Sequence, residues 1–495
     1  MSALLEQLRV RDPDSIIIET HQDTVSTEQF IVAVENAAGW LGANQAQRLG
    51  LLLDNEPAWL VWDIAAQLLG ICLVPLPPFF SRDQIAHIVH SMGITHIISS
   101  HALENLLLNL DRVALDIPDS GMLEFNRAFA LEGAATPMLP KGTEKVTFTS
   151  GSTGKPKGVC LSTEHTLQVA TSIASVLKMK SPRHLCTLPL STLLENVAGI
   201  YQTWMQDGTV ILYPLDHLGF DGGRLTSFSA FIASMNQAQP ESMITVPALL
   251  MAIIKASEAG LAIPTSLQFV AVGGARVAPN LVDRAWANGI PVYEGYGLSE
   301  CASVVSINSP DDSRSGTSGK VLDHIKLNRV AAELVSEGTV FLGYADQPDT
   351  WGMNCFATGD IGEISSDGFV TLSGRKKNIV ITSSGRNISP EWLERELFAS
   401  GMFEQCVILA NDLDHCALLC FAPAQIDSLK LEAAIESVNA SLPNYAKIKQ
   451  WLRLSEPLSV QKAFWTENGR PKREAIASHF IAHFLEKQDG VYDVL

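Results

Sequence analysis

The 495-residue sequence predicts an α/β protein in two parts: a large N-terminal domain (residues 1–375) of α/β subdomains with parallel sheets, and a small α+β C-terminal domain (residues 376–495). Three observations predict it. The chain is longer than one hydrophobic core serves, so a second core is expected. Short apolar runs alternate with amphipathic helical stretches, the signature of βαβ units around a parallel sheet. After Gly374 the units become shorter and open on a charged turn, Arg375-Lys376-Lys377.

The first units follow in order from Arg48. An apolar run (Leu51 to Leu53) precedes a helical stretch (Pro57 to Leu69) and a second run (Ile71 to Val74). Another helical stretch (Arg82 to Met92) leads to a third run (Ile94 to Ile98). The alternation continues through Val210 to Tyr213, Met243 to Val246, Phe269 to Val272 and Pro291 to Tyr293, and the large domain reaches at least Asp360. Beyond it, strands are expected near Ile379 to Ile381 and Cys406 to Leu409, and helices from Pro390 and Ile426. Ser389 before Pro390 is a good helix start, because Ser caps the first amides and Pro suits the first helical position.

Apolar residues at 46% and charged residues at 18% give the balance of a chain that folds compactly. A net charge of −18 excludes a broad surface for nucleic acid or anionic lipid, so any phosphate site must be local. The eight cysteines form no CxxC pair, and Cys416 and Cys420 lack zinc spacing, so reduced, mostly buried thiols are expected. The first residues, MSALLEQLRVRDPD, carry charges where a signal peptide needs an apolar run. The apolar stretch Ile64 to Phe80 contains Gln67 and three prolines and is short of the about 20 residues that span a bilayer. A cytoplasmic protein is expected, with neither an internal repeat nor a tethered carrier domain.

The most informative stretch is Thr149-Ser150-Gly151-Ser152-Thr153-Gly154-Lys155-Pro156-Lys157-Gly158. Val146 and Phe148 suggest a strand before it, Val159 and Leu161 another after it, so the loop joins a hairpin. Glycines let backbone amides turn inward, hydroxyls add donors and two lysines add charge; together they suit a polyphosphate. A Walker loop is excluded, because Thr149 stands where that motif needs glycine and Pro156 where it needs Ser or Thr.

With Tyr296-Gly297-Leu298-Ser299-Glu300, Thr358-Gly359-Asp360 and Gly374-Arg375-Lys376-Lys377 following in order, nearly the whole chain resembles the adenylate-forming superfamily of acyl-CoA synthetases, aryl-CoA ligases, firefly luciferase and peptide-synthetase adenylation domains. The resemblance implies a small C-terminal domain that is mobile. It places nucleotide against Thr149, Ser150, Gly151, Ser152, Thr153, Gly154 and Lys155, and against Gly274, Ala275, Glu294, Gly295, Tyr296 and Gly297. Tyr296 would stack on adenine, Asp360 would take the ribose hydroxyls and Arg375 would contact the nucleotide. Ser299 would bind the α-phosphate and Glu300 would help hold Mg2+, which offsets the repulsion when a carboxylate attacks a phosphate. Lys377 would be the pivot between domains, and Ser384 and Gly385 would line a thiol tunnel after the small domain rotates.

One signature departs from the family. Its members carry Gly-Lys near the C-terminus, and that lysine supports adenylation; here Asn468-Gly469-Arg470-Pro471-Lys472 puts Arg470 in that place, with Lys472 two residues on. Arginine keeps the charge without being interchangeable with lysine, so either cation is a candidate. The acid pocket implied by the resemblance involves Leu190, Leu194, Val246 and Gly273. Leu190 stands where amino-acid-activating members keep aspartate, which points away from amino acids, and apolar neighbours with the small Gly273, Gly274 and Ala275 point to a medium or long fatty acid or another apolar acid. The expected reaction uses ATP and Mg2+ to make an acyl-adenylate and passes the acyl group to a thiol, coenzyme A. Two alternatives stay open: transfer to the phosphopantetheine of a separate acyl carrier protein or to an amine, and a degenerate member that binds nucleotide without turnover.

Overall fold

The computed structural model describes residues 3–117, 121–123, 126–131, 136–149, 157–221, 224–275, 277–381, 387–410, 413, 415–461, 463–466, 470–485 and 491–492. Within them the fold is α/β, with two large mixed sheets packed through intervening helices. One sheet has the strand order Lys320–Val321, Ser303–Ile307, Val292–Leu298, Phe269–Val272, Ser242–Thr245, Arg183–Leu185, Thr209–Leu212, Ile16–Thr20, Thr24–Ser26. Its pairs from Val292–Leu298 through Ile16–Thr20 are parallel, and its margins turn antiparallel. The other runs Gly343–Tyr344, Lys157–Leu161, Lys145–Thr149, Cys72–Pro75, Arg48–Leu52, His96–Ser100, Asn126–Leu131, Arg112–Leu115. Its parallel centre is the βαβ region read from the alternation, including the helix Pro57–Leu69, which starts on Pro57 and ends at left-handed Gly70.

An antiparallel sheet of Ile325–Val330, Glu333–Gly338, Cys355–Ile364 and Val370–Arg375 follows. Beyond it, Gln405–Leu409, Cys416–Phe421, Ile448–Arg453 and Val491–Tyr492 form a separate sheet. Two apolar clusters drawn from residues 388–484 pack on this last sheet, which gives the C-terminal region a core of its own. Six cysteines are buried, while Cys406 is partly buried and Cys355 exposed; all eight are free thiols. Among the described residues no helix is long and apolar enough to cross a membrane.

Three local expectations are corrected. The strand expected to end at Tyr293 runs from Val292 to Leu298: its first half pairs in parallel with Phe269–Val272, and its second half turns to an antiparallel partner, Ser303–Ile307. Tyr296, Gly297 and Leu298 therefore lie inside a strand, and Ser299 and Glu300 in the turn that ends it. Ser389 occupies the cap position of the helix Pro390–Ala399, yet its hydroxyl donates to Glu391 at 3.1 Å and makes no bond to the helix amides. The helix expected from Ile426 begins at Ser428, where the Asp427 carboxylate accepts the Lys430 N–H at 2.9 Å.

Candidate active site

The hairpin places Thr149 opposite Lys157, so both ends of the Gly-hydroxyl loop meet at one point of the sheet. The loop itself, with Ser150, Gly151, Ser152, Thr153, Gly154 and Lys155, lies outside the described residues, as do Ser384 and Gly385. Beside the hairpin the short strand Gly343–Tyr344 adds antiparallel to Lys157–Leu161. Through this pairing the Lys157 ammonium sits 5.1 Å from the centre of the Tyr344 ring.

The Tyr344 hydroxyl donates to Glu300 Oε1 at 2.7 Å. Burial, and then the Glu300 charge, push the phenol above its ordinary range, so it stays a donor. Glu300 stands in the turn Ser299–Cys301 that ends the strand, and its own carbonyl accepts the Phe341 N–H at 2.7 Å. Gly297 permits this course: a Cβ there would fall 1.9 Å from the Ser303 carbonyl oxygen on the antiparallel neighbour. Ser299 is half-buried in the same turn.

Asp360, buried on the strand Cys355–Ile364, is the polar centre. Tyr296 donates to its Oδ2 at 2.8 Å, and Arg375, directly across the antiparallel pair, reaches Oδ1 at 2.7 Å. The preceding Gly359 has φ of 73°, and the Asp360 N–H is held by the Thr358 hydroxyl at 3.1 Å, itself bonded to the Leu334 carbonyl at 2.8 Å. Burial, then Asp360, raise the Tyr296 phenol as well. Glu294, in the first half of the strand, accepts the Ser318 hydroxyl at 2.8 Å.

Cations converge on these carboxylates. Lys377, in the turn Lys376–Asn378, is pushed down from the usual lysine range by burial and then by the charges of Arg375, Arg470 and Lys157, against a smaller pull from Asp360. Arg470 is lowered by burial and then by Arg375, and feels Asp360 and Glu300 in the opposite sense. Its own surface is exposed, so it stands in a cleft walled by protein at longer range. Four cations thus face two carboxylates in a chain whose overall charge is −18. Mutual repulsion of this kind is what a polyanion relieves. Lys472 is exposed, and its backbone N–H is tied to the Phe464 carbonyl at 2.8 Å.

The parallel strand Phe269–Val272 ends beside this cluster. A Cβ on Gly273 would come 3.4 Å from the Gly295 carbonyl oxygen, and left-handed Gly274 lies near Val246, so Gly273, Gly274, Val246 and Gly295 meet at the carboxyl ends of neighbouring strands, with exposed Ala275 next along. Leu190 and Leu194 are placed differently. Leu190 is 1% exposed in the main core, its N–H held by Asn55, and Leu194 opens a π-helix, Leu194–Tyr201, packed against that core.

Sequence reasoning left several groups unread. Tyr344 belongs to no motif signal of its own. Two buried polar clusters flank the π-helix. Lys145 meets Asp63 at 3.0 Å and Tyr201 at 2.9 Å, and His184 meets Glu195 at 2.9 Å while Glu195 accepts the Leu188 N–H at 2.9 Å. The available signal was a charged residue inside an apolar run, as at Asp63 within Pro57–Leu69.

The residues present fit ATP with a hard divalent cation. Among the described residues no three acidic, His or Cys side chains cluster as a metal cage, and Glu300 is one of two carboxylates at the cationic cleft. Mg2+ is held in this manner, by one or two carboxylates plus substrate phosphates.

The chain is similar to several known proteins. A long-chain-fatty-acid–CoA ligase, FadD15, from Mycobacterium bovis is 23% identical over 95% of this chain and 94% of its own. A 2-succinylbenzoate–CoA ligase from Staphylococcus epidermidis is 26% identical over 80% of this chain and 81% of its own. The crystal structure of the anthranilate CoA ligase AuaEII in complex with anthranoyl-AMP superposes with a TM-score of 0.79 at 17% identity, covering 96% of both chains, a likeness of fold. The model of the family described as AMP-binding enzyme matches residues 5–339, more than half of the sequence, and the chain belongs to that family.

Proposed function

We propose that the protein is an ATP-dependent acid–thiol ligase that converts an apolar carboxylic acid to its acyl-adenylate and then to a coenzyme A thioester. One observation carries the reading: the cluster of Lys157, Arg375, Lys377 and Arg470 around Asp360 and Glu300 in an otherwise acidic protein. Two relatives named as CoA ligases, spanning most of the chain, support the thiol acceptor.

In the first step a carboxylate oxygen of the acid bonds to the α-phosphorus of ATP, and the bond to the bridging oxygen breaks to release pyrophosphate. Mg2+ on Glu300 would spread the phosphate charge. Asp360 would accept the ribose hydroxyls on the outer lone pairs of its two oxygens, held in place by Tyr296 and Arg375. Ser299 would donate to the α-phosphate, and the loop from Thr149 to Lys155 would hold the outer phosphates. Arg470, within electrostatic reach of Asp360 and Glu300, would support the charge that grows on the α-phosphate. In the second step the small domain would turn about Lys377, withdraw Arg470 and present Ser384 and Gly385. A thiolate sulfur would then bond to the acyl carbon as AMP leaves.

The acid is proposed to be a medium- or long-chain fatty acid or another apolar acid. The close backbone approach at Gly273 and the neighbouring Val246 support an uncharged guest. The test is acid-dependent exchange of labelled pyrophosphate into ATP, followed by thioester formation with free coenzyme A across a panel of chain lengths and aryl acids. Exchange with some acid and a coenzyme A thioester of it are expected. ATP binding without exchange for any acid would overturn the proposal, and exchange without a coenzyme A thioester would move the acceptor to a carrier protein or an amine.

A further inference from the structure

The helix Pro390–Ala399, the first helix of the C-terminal region, ends against two cations of the large domain. Arg284, from the helix Pro279–Ala287, donates to the Ala399 carbonyl at 2.8 Å, and Lys255, from Pro247–Glu258, donates to the Gly401 carbonyl at 2.9 Å. Glu258 holds the Arg284 guanidinium with both of its oxygens at 2.9 Å, which fixes its direction. The contact is close: Ala399 is 1% exposed and belongs to the main core, Phe398 packs on that core, and a Cβ on left-handed Gly401 would sit 3.3 Å from the Lys255 side chain. The last carbonyls of a helix carry the negative end of its dipole and lack partners within the helix, so two cations there both neutralise and satisfy them.

This contact belongs to the arrangement in which Arg470 lies within electrostatic range of Asp360 and Glu300. Any turn of the C-terminal region about Lys377 carries the end of Pro390–Ala399 away from Lys255 and Arg284, while the Arg473 pair with Glu394 at 2.6 Å travels with the region as an internal bond. We propose that Arg284 and Lys255 form a latch that holds the C-terminal region in its adenylating position, so that they are positioning residues for the first half-reaction and must release before the second; the assignment of half-reactions rests on the function proposed above.

The test combines Arg284→Gln with Lys255→Gln in the full chain, with Arg284→Lys as the conservative variant and melting temperature as the check on folding. Small-angle scattering of the ligand-free protein reads the arrangement directly: wild type and Arg284→Lys should match the latched arrangement, and the double variant should depart from it. Pyrophosphate exchange by the double variant should fall about five- to tenfold. Thioester formation from supplied acyl-adenylate should stay equal or rise. Superimposable scattering profiles, or two half-reactions that fall together, would overturn the latch. Should the wild type exchange pyrophosphate with no acid, the proposed activity fails while the scattering comparison still decides the latch.

Discussion

At Arg470 a guanidinium replaces the ammonium that the family resemblance leads one to expect, and its surroundings give the exchange a physical meaning. Burial and the charge of Arg375 both work against a cation here, and a lysine in such a place loses its proton more readily than an arginine. Arg470 therefore keeps its charge at any working pH. Arg470→Ala should lower pyrophosphate exchange on the order of 100-fold, as loss of a donor to developing charge does elsewhere, with thioester formation from supplied acyl-adenylate little changed. Lys472→Ala should leave both within about twofold, the range of a surface substitution. Equal losses in the two variants would reverse the assignment. Residues at this scale were legible where a motif carried them: Asp360 was read from Thr358-Gly359-Asp360, and Arg375, which was read separately, meets it across the sheet. Tyr344 was not legible, because its bond to Glu300 joins positions 44 apart and no local pattern marks it.

Among the elements, the π-helix Leu194–Tyr201 shows how one glycine admits a buried hydrogen-bonded pair, Glu195 and His184. A Cβ on Gly199 would lie 2.5 Å from Glu195 Oε1 and 2.7 Å from His184 Nε2, both fully enclosed. Gly199→Ala must displace that pair, and a loss of about 2 kcal/mol is expected from buried polar groups left unsatisfied, read as a lower urea midpoint. The helix Pro57–Leu69 carries a different sensitivity at its cap residue, Glu56. Burial, then the charge of Asp54, push the Glu56 carboxyl up to about 7 from an ordinary 4.5. A raised acid pKa means that the folded state holds its proton more tightly. Its contribution is complete below pH 4.5 and is lost as pH rises through about 7. Glu56 is partly accessible, so the loss is roughly 2 kcal/mol rather than the full linkage value. Urea denaturation at pH 5 and pH 8 should show it in the wild type and a flatter response in Glu56→Gln. Helix positions such as Pro57–Leu69 were legible because periodicity and caps are local. The strand Val292–Leu298 was misjudged because its extension depends on a partner, Ser303–Ile307, that meets it only in the fold.

Over the whole molecule, the α/β class was legible from alternation alone, whereas the order of strands was not. Ile16–Thr20 lies beside Thr209–Leu212, and Gly343–Tyr344 beside Lys157–Leu161, pairings that no window of sequence contains. The second of these has a consequence for synthesis. A ribosome that has delivered residues 5–339, the span matched by the family, has made the hairpin of Lys145–Thr149 and Lys157–Leu161 but not the strand that closes its flank. Until Gly343–Tyr344 emerges, Lys157–Leu161 is a bare margin of the sheet, and Lys157 waits for its aromatic partner. A fragment ending at residue 339 should accordingly self-associate in sedimentation runs, while one extended to residue 381 should stay monomeric. The nascent chain thus closes this margin late, with two residues that follow the strand they pair with by about 180 positions.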